Sequence, residues 1–259
     1  MKVLRMKQGS IDWFIARLGF ATGSHAADIM DFLKQTKAEE SAGIKRESAK
    51  RANYKAQIVA ELLTGKPAFD GYLSPEMEWG NEQEVYARAA YEIESTCDVD
   101  LVGFVIHDTI PRMGGSPDAL VGDEGLLEIK CPKTSTHYRW LLGGEVPEDH
   151  IPQMDFYMAC TGRQWCDFVS YDPRIHEALR MFVKRLPRDE ERISALEAAV
   201  IQFNAEVNQT IERLQAIAGE SIEPPAPRSE NKSDNGLEEC GITDDEIRAV
   251  DPSWTGTAI

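Results

Sequence analysis

The sequence predicts an α/β fold in which a central mixed β-sheet is flanked by helices. Amphipathic helical spacing fills the first third of the chain and returns near its end, while short apolar runs typical of strands occupy the middle. A Gly-Asp-Glu-Gly turn at 122–125 joins two of these runs into a hairpin. Helices, then a small sheet, then helices again are typical of layered α/β proteins.

Caps, chain breakers and apolar spacing predict the individual elements in order. Ser10 is the predicted N-cap of a helix over 10–19, and Ser24 is the predicted cap of a second helix that reaches residue 33. Further helices are predicted over 43–64, 75–92, 134–142, 149–161 and 187–218. Strands are predicted over 101–107, 119–121, 126–130 and 165–171.

Length and composition bound the class of protein. With 259 residues and 42% hydrophobic content, the chain allows one large domain with an appendage, predicted as a body over 1–218 and an acidic, flexible tail over 219–259. No apolar run is long enough for a transmembrane helix, the first residues lack a signal-peptide core, and the five cysteines contain no C-x-x-C pair. We therefore expect a cytoplasmic protein with reduced thiols and no membrane partner.

The charge is acidic but uneven. The formal net charge of −16 argues at first against a nucleic-acid partner, yet the tail from Gly219 onward alone holds ten acidic and three basic residues. A basic cluster in the body could follow a phosphate backbone, although a solvated helix face is the simpler interpretation. Its members are Lys45, Arg46, Lys50, Arg51 and Lys55.

Candidate catalytic residues lie on the predicted hairpin. Asp118 directly precedes its first strand, and Glu128 and Lys130 lie on the second. Because side chains alternate along a strand, Glu128 and Lys130 point to the same face, and the hairpin can bring Asp118 beside them. Two carboxylates and an ammonium suit a Mg²⁺ site that activates water against a phosphodiester. Such a short pattern is weak alone, but charges inside an apolar strand are costly unless they are paired or metal-bound.

Two polar side chains interrupt apolar helix faces. Glu84 lies on a small or apolar stripe of the helix over 75–92, and Gln153 lies on an aromatic stripe of the helix over 149–161. Buried polar groups need partners. If the hairpin holds a metal, Glu84 is predicted to face that metal or its water. For Gln153, a hydrogen bond to the backbone is an equal alternative.

A candidate anion site lies near the start of the chain. A helix capped by Ser24 would present free backbone N–H groups to an anion, and Arg17 just upstream could pair with a phosphate. Considered singly, Ser24 also fits an ordinary cap, and Arg17 an ordinary surface residue.

Together these motifs resemble the phage lambda exonuclease family, also called the YqaJ-type viral recombinases. This family belongs to the PD-(D/E)xK nucleases, which have a restriction-endonuclease-like fold. The resemblance covers roughly residues 13 to 173, and no single block is specific by itself. The blocks are Trp13-x-x-x-Arg17-x-Gly19, Thr22-Gly23-Ser24, Gly80-x-x-x-Glu84, Asp108, Ser116-Pro117-Asp118, Leu127-Glu128-Ile129-Lys130-Cys131-Pro132, Pro152-Gln153, Thr161-Gly162 and Tyr171-Asp172-Pro173.

The resemblance implies a processive, Mg²⁺-dependent exonuclease that degrades the 5′-ended strand of linear double-stranded DNA. It implies a homotrimeric ring around the DNA and a 3′ single strand left for a single-strand annealing protein in recombination. The setting would be a bacterial cytoplasm, and the origin a phage or prophage. The implied cofactor is Mg²⁺, as two ions with Mn²⁺ as a substitute, held by Asp118, Glu128 and the Ile129 carbonyl, with Asp118 bridging.

The resemblance also assigns roles to the remaining residues. Lys130 would orient and deprotonate the attacking water, with Glu84 and Gln153 around the metals and the water. The 5′-terminal phosphate would be held by Arg17, Ser24 and Ser116, while Asp108 matches a family acid of open role. Whether Lys130 acts as a base stays open, because burial lowers a lysine pKa and carboxylates raise it.

Three alternatives remain open from the sequence. They are a RecB-type or Cas4-like nuclease of the same fold, a site-specific endonuclease, and a non-catalytic DNA-end-binding recombination adaptor. The scattered cysteines disfavour an iron–sulfur nuclease, and the complete Asp–Glu–Lys set disfavours an adaptor. The tail either docks a partner or only keeps the protein soluble.

Overall fold

The computed structural model describes residues 1–68 and 74–219, apart from the side chains of Glu76 and Met77. These residues form an α/β fold with two mixed sheets flanked by helices, which confirms the predicted fold class. The single central sheet of the prediction is instead divided into a four-stranded and a five-stranded sheet. Except for Gly219, the predicted tail lies outside the described residues.

The strands of the described ranges are β1 (Lys2–Leu4), β2 (Ala21–Thr22), β3 (Val99–Asp100), β4 (Phe104–Ile106), β5 (Met113–Gly115), β6 (Ala119–Val121), β7 (Gly125–Lys130), β8 (Trp165–Tyr171) and β9 (Met181–Pro187). The helices are α1 (Ile11–Arg17), α2 (Ala26–Met30), α3 (Lys37–Ser41), α4 (Ala49–Thr64), α5 (Pro75–Ser95), α6 (Thr134–Gly143), α7 (Ile151–Thr161) and α8 (Glu190–Ala218).

The five-stranded sheet carries the predicted hairpin at its centre. Its order is β3-β6-β7-β8-β9, and β7 runs antiparallel to β6 but parallel to β8. The parallel pairing requires a crossover, which the chain provides through α6 and α7. Every residue of β7 except Lys130 is buried, as expected for a central strand covered on both faces.

Helices cover the two faces of this sheet with different sets of apolar side chains. On one face, Leu126 and Phe168 belong to the large core that includes Phe156 of α7 and Val200 of α8. On the other face, Leu127, Ile129 and Val169 pack with Ala87 and Tyr91 of α5. The alternation of side chains along β7 therefore places its neighbouring residues in two separate cores.

The second sheet, of order β1-β4-β5-β2, holds the N-terminal part of the chain against the hairpin. It pairs β2 with β5 in parallel, with Thr22 opposite Gly114. The loop that follows β5 contains Ser116 and Pro117 and leads directly into Asp118. This arrangement connects the N-terminal segment around residues 17–24 to the start of the predicted hairpin.

Caps explain several helix boundaries. The side chain of Ser10 accepts a hydrogen bond from the backbone N–H of Trp13 at the start of α1, which confirms the predicted cap. Ser48 caps α4 in the same way, so this helix starts at Ala49 and not at the predicted residue 43. It ends at Gly65 in the left-handed conformation, where the prediction placed the end.

The simpler interpretation of the basic cluster, a solvated helix face, is wrong for Arg51. Arg51 is 1% exposed and lies between the carboxylates of Glu47 and Glu206, at 3.1 and 2.6 Å. Lys55 pairs with the same two carboxylates, and Arg46 pairs with a carboxylate of α3. Since a buried cation needs such partners, Arg51 and Lys55 fasten α4 to α8 and are not free to bind a phosphate backbone.

The described ranges contain no helix long and apolar enough to cross a membrane.

Candidate active site

Backbone hydrogen bonds fix Asp118 beside the second strand of the hairpin. Its N–H donates to the Leu127 carbonyl at 3.1 Å, continuing the register in which Ala119 faces Leu127. Its side-chain Oδ2 accepts the N–H of Ile129 at 2.5 Å. The carboxylate is therefore held against β7 between Leu127 and Ile129, as the sequence predicted for the hairpin.

Glu128 and Lys130 point to the same face of β7 and contact each other. Lys130 Nζ donates to Glu128 Oε1 at 2.5 Å. Glu128 is 1% exposed, and its second oxygen, Oε2, has no hydrogen-bond partner among the described residues. A buried carboxylate oxygen without a partner is costly, so the site is built to receive another group at that oxygen.

The electrostatics of the cluster reflect three carboxylates around one ammonium. Burial raises the pKa of Asp118 well above its usual value, and the charges of Glu128 and Glu84 raise it further. Burial lowers the pKa of Lys130, but the attraction of Glu128 and Asp118 outweighs burial, so the pKa is raised overall. The carboxylates thus favour the ammonium form of Lys130, and whether Lys130 acts as a base stays a prediction.

Glu84 reaches this cluster from α5, on the other side of the sheet from α7. Its carboxylate pairs with Arg88 at 3.1 Å one turn along the helix. Burial raises the pKa of Glu84, Arg88 opposes that rise, and Glu128 adds to it. Glu84 thus belongs to the same charged cluster as Asp118 and Glu128, as predicted from its inward position.

Gln153 hydrogen-bonds a side chain and not the backbone. Its Nε2 donates to the hydroxyl of Tyr157, one turn along α7, at 2.8 Å. The ring of Tyr157 is buried against Gly23 and Gly115, where a Cβ atom would approach the ring within 2.4 and 2.6 Å. Burial raises the pKa of Tyr157 well above its usual value, and the charges of Glu128 and Asp118 contribute. Tyr157 therefore lies between the hairpin and the β2 segment.

Trp13 brings Arg17 and Ser116 together. Its indole N–H donates to Ser116 Oγ at 2.9 Å and to the Gly103 carbonyl at 3.0 Å. The guanidinium carbon of Arg17 lies 3.8 Å above the centre of the same indole ring. Burial lowers the pKa of Arg17, and Tyr157 is among the groups that oppose this effect. Stacking fixes the guanidinium, yet among the described residues it donates no hydrogen bond, so its donors are available to an anion.

Ser24 is not a helix cap, contrary to the prediction. It is exposed and lies in a 3₁₀ turn over Gly23–His25, and α2 begins only at Ala26 after His25. The Ser24 hydroxyl lies 3.3 Å from the hydroxyl of Thr22. The second helix also ends earlier than predicted, at Met30. The hydroxyl still lies on the segment that Tyr157 contacts, but the helix N-terminus that was to bind an anion is not behind it.

Asp108 lies in a different environment from Asp118. Its exposed carboxylate forms an ion pair with the amino group of Met1. The causes of the pKa shifts of Asp118, Lys130 and Glu84 do not include Asp108. Its predicted correspondence to a family acid stays a prediction.

Two residues near the site were given no role from the sequence. Tyr157 follows Gln153 at a spacing of four, which was interpreted only as an apolar stripe. His150 directly precedes α7, and its ring stacks on Phe168, the residue paired with Glu128 in the sheet. The sequence does contain a pattern that could have indicated both residues: each has a polar group and lies three or four positions from Gln153, on the same helix face.

Comparisons with known proteins agree on one family. Residues 12–164 match the model of the YqaJ-like viral recombinase domain. The chain is similar to the alkaline exonuclease LHK-Exo from Laribacter hongkongensis, with 42% identity, a TM-score of 0.70, and coverage of 80% of this chain and 97% of that one. A structure of LHK-Exo in complex with dAMP gives 42% identity and a TM-score of 0.72, covering 81% and 98% of the two chains.

A more distant structure shares the fold alone. It is a phage-related exonuclease from Haemophilus somnus 129PT, with 17% identity, a TM-score of 0.55, and coverage of 75% of this chain and 96% of that one. No curated protein sequence matched the chain.

Fold and matches together define the class of this protein as a nuclease of the exonuclease type. More narrowly, the chain belongs to the YqaJ-like viral recombinase family.

Proposed function

We propose that the chain is a Mg²⁺-dependent exonuclease that degrades the 5′-ended strand of linear double-stranded DNA. The observation that carries the proposal is the juxtaposition of Asp118, Glu128 and Lys130, with one buried glutamate oxygen left without a partner. The complex of the similar LHK-Exo with dAMP supports it, because a nucleoside monophosphate is the unit that an exonuclease releases.

The donor set fits a hard divalent cation. Asp118, Glu128 and the Ile129 carbonyl would supply oxygen ligands. A bound cation would give the Oε2 atom of Glu128 a partner and would offset the repulsion that raises the pKa of Asp118. Within the described ranges, no group of three or more His, Cys, Asp or Glu side chains has the arrangement of a metal site. The proposed set has two carboxylates and one carbonyl, so water and DNA oxygens would complete it. Mn²⁺ would substitute for Mg²⁺.

When bound, the metal would supply Lewis-acid stabilisation of the phosphate and a more acidic water. The residues of the chain position the reaction around it. Lys130, held by Glu128 as an ammonium, orients the attacking water by donating a hydrogen bond and offsets negative charge on the phosphate. Gln153, fixed by Tyr157, and Glu84 line the space around the water.

The segment from β1 to α2 supplies the proposed pocket for the 5′-terminal phosphate. Arg17 offers an unengaged guanidinium, Trp13 holds it beside Ser116, and Ser24 exposes its hydroxyl. A bidentate guanidinium is well suited to a terminal phosphate. The distance from this pocket to the hairpin would determine which phosphodiester is cut. Because the pocket would bind only a terminal 5′ phosphate, cleavage would occur only near a DNA end.

The assembly and partners are proposed on the resemblance. A homotrimeric ring would explain processive digestion, and the 3′ single strand would pass to a single-strand annealing protein for recombination. Mass photometry of the purified protein gives the oligomeric state, and truncation after Gly219 tests whether the acidic tail binds the annealing partner. Loss of that binding would assign the tail a docking role.

The experiment that separates this function from its rivals compares DNA topologies. Linear duplex and closed circular duplex of the same sequence are incubated with the protein and Mg²⁺. Digestion of the linear form alone supports an exonuclease. Cleavage of the circle supports a site-specific endonuclease, and binding of ends without digestion supports the adaptor.

A further inference from the structure

His150 places a polar imidazole in an aromatic setting. Its ring stacks on Phe168 with centroids 5.3 Å apart and an interplanar angle of 27°. Trp140 of α6 meets the same ring edge-on at 5.3 Å. The stack on Phe168 orients the half-buried imidazole, and neither ring nitrogen forms a hydrogen bond to another described side chain. The ring nitrogens are not among the buried polar atoms without a partner, so they are open to a group that enters the site.

The sheet register places His150 on the catalytic face. Phe168 pairs with Glu128 between β8 and β7, and residues paired across two strands point to the same face. Lys130, two residues beyond Glu128, shares that face. An imidazole stacked on Phe168 therefore lies on the side of the sheet where Glu128 and Lys130 present their charges.

The helix places His150 beside Gln153. His150 has right-handed helical backbone angles and directly precedes α7, so Gln153 lies three residues on and Tyr157 seven. Residues at these spacings share one helix face. The imidazole thus follows the pair of Gln153 and Tyr157 along the helix face that approaches the hairpin.

The charges around His150 favour a neutral ring. Burial and the nearby Lys130 ammonium lower the pKa of His150 to about 4, while Asp149 opposes them. A neutral imidazole has one N–H donor and one acceptor nitrogen. It can approach an anionic phosphate already bound by Lys130 without repelling that ammonium.

We propose that His150 is a catalytic residue that donates a hydrogen bond to a non-bridging oxygen of the phosphodiester being cut. This inference rests on the proposed nuclease function and adds a residue to it. The donor would be aimed by the stack on Phe168, so it would act in the transition state without reorganisation.

Two substitutions separate the hydrogen bond from the packing. His150→Phe retains an aromatic ring against Phe168 and Trp140 but removes both nitrogens, while His150→Gln restores an amide donor without the ring. Trp140→Phe is the matched control, because it changes the same stack and leaves the imidazole in place. Steady-state rates on a 5′-phosphorylated linear duplex with Mg²⁺ give kcat and KM, and thermal melts report folding.

We expect His150→Phe to lower kcat by about 10- to 100-fold, the effect of a lost hydrogen bond to a charged group, with KM within about threefold of wild type. His150→Gln should regain at least about one third of the decrease in log kcat. The kcat of Trp140→Phe should stay within about threefold of wild type. Wild-type kcat in His150→Phe would overturn the assignment, as would equal losses in the Phe and Gln variants.

The outcomes for the inference and for the function are distinguishable. If the wild-type protein does not digest linear DNA, the proposed function fails, and this inference fails with it. If the wild type digests and His150→Phe does so equally well, only the role of His150 fails. If His150→Phe melts early, His150→Ala and His150→Gln are compared, because both lack the ring and only the Gln variant retains a donor. Higher activity of His150→Gln supports the donor, and equal activities refute it.

Discussion

Lys130 and Glu128 form an ion pair that uses only one of the two carboxylate oxygens of Glu128. The ammonium lies 2.5 Å from Oε1, while Oε2 is buried without a partner among the described residues. Asp118 is held next to them by the N–H of Ile129. Two buried carboxylates therefore lie side by side with one ammonium between them, and burial and mutual repulsion raise the pKa of Asp118.

Substitution of the hairpin residues should abolish digestion without abolishing DNA binding. Asp118→Ala, Glu128→Ala and Lys130→Ala each remove a ligand or the ammonium, and we expect losses of at least about 1,000-fold in digestion rate. A nuclease assay on linear duplex and a gel-shift assay in Ca²⁺ measure the two properties. Glu124→Gln, in the exposed turn of the same hairpin, is the control and should retain activity. Near wild-type digestion by any of the three alanine variants would refute the site.

Asp118→Asn should stabilise the metal-free protein. Because the folded-state pKa of Asp118 is raised, stability is lost as the pH rises from the unfolded value of about 3.9 through the folded value. Asparagine cannot ionise and retains an acceptor for Ile129, so at pH 8 the Tm should rise by about 2–4 °C per kcal/mol of relieved repulsion. At pH 3 the difference should vanish. Asp123→Asn, in the exposed turn, should not change the Tm, and an unchanged or lower Tm at pH 8 for Asp118→Asn would contradict the raised pKa of Asp118.

Mg²⁺ should raise the Tm of the wild-type protein without DNA. A ligand that binds only the folded state stabilises it by about 2.7 kcal/mol at 100 times its Kd. The rise should be absent in Asp118→Ala, which lacks the shared carboxylate. Differential scanning fluorimetry with and without EDTA provides the measurement. Equal shifts in the wild type and in Asp118→Ala would place the cation elsewhere.

Arg17→Ala should act on the DNA end and not on the chemistry. The guanidinium is fixed over Trp13 and has no other acceptor among the described residues, so its loss should slow digestion of 5′-phosphorylated ends about 10- to 100-fold. On 5′-hydroxyl ends the loss should be less than about threefold. Arg139→Ala, on the exposed side of α6, is the charge-matched control. Equal losses on both kinds of end would remove Arg17 from phosphate recognition.

Arg51→Ala should reduce the free energy of unfolding, because Arg51 is a structural residue. The loss of Arg51 leaves the Ile29 carbonyl without its donor and leaves Lys55 as the remaining partner of Glu47 and Glu206, which should cost about 1–3 kcal/mol. Urea denaturation measures this cost. Lys50→Ala, the exposed neighbour, should have the stability of the wild type. If Arg51→Ala is as stable as Lys50→Ala, the interpretation of Arg51 as a structural residue is wrong.

Much of the fold and of the hairpin could be predicted because local signals and tertiary packing agree there. The turn at 122–125, the apolar β7 and the alternation of Glu128 and Lys130 all require the same register, and the structure has it. The strand over Trp165–Tyr171 was placed to the residue, since five of its seven residues are apolar or aromatic and Asp172-Pro173 ends it.

Other elements depend on partners that the local sequence does not reveal. The strand β9 contains Lys184 and Arg185 and has no clear apolar run, but its full pairing with β8 makes it a strand. The strands β1, β2, β3 and β5 are only two or three residues long and exist through their neighbours in the sheets. None of these five strands was predicted.

Ser24 and Arg51 show how tertiary contacts override a local signal. A serine before an apolar stretch predicts a cap, yet Tyr54 accepts the N–H of Thr22 and Tyr157 packs on Gly23, which holds the segment in a 3₁₀ turn. Arg51 is part of a basic cluster, but it also shares a helix stripe with Tyr54 and Ile58, at spacings of three and four. That periodicity could have indicated its burial.

The most direct test of the proposed function is the polarity of digestion on an end-labelled linear duplex. One strand carries a fluorophore at its 3′ end, the other strand is unlabelled, both 5′ ends are phosphorylated, and Mg²⁺ starts the reaction. The account predicts that the labelled strand shortens stepwise from its 5′ end while the label stays on the shrinking fragment, and that EDTA or Glu128→Ala stops the reaction. Immediate release of the label as a mononucleotide, or fragments of one fixed length, would contradict it.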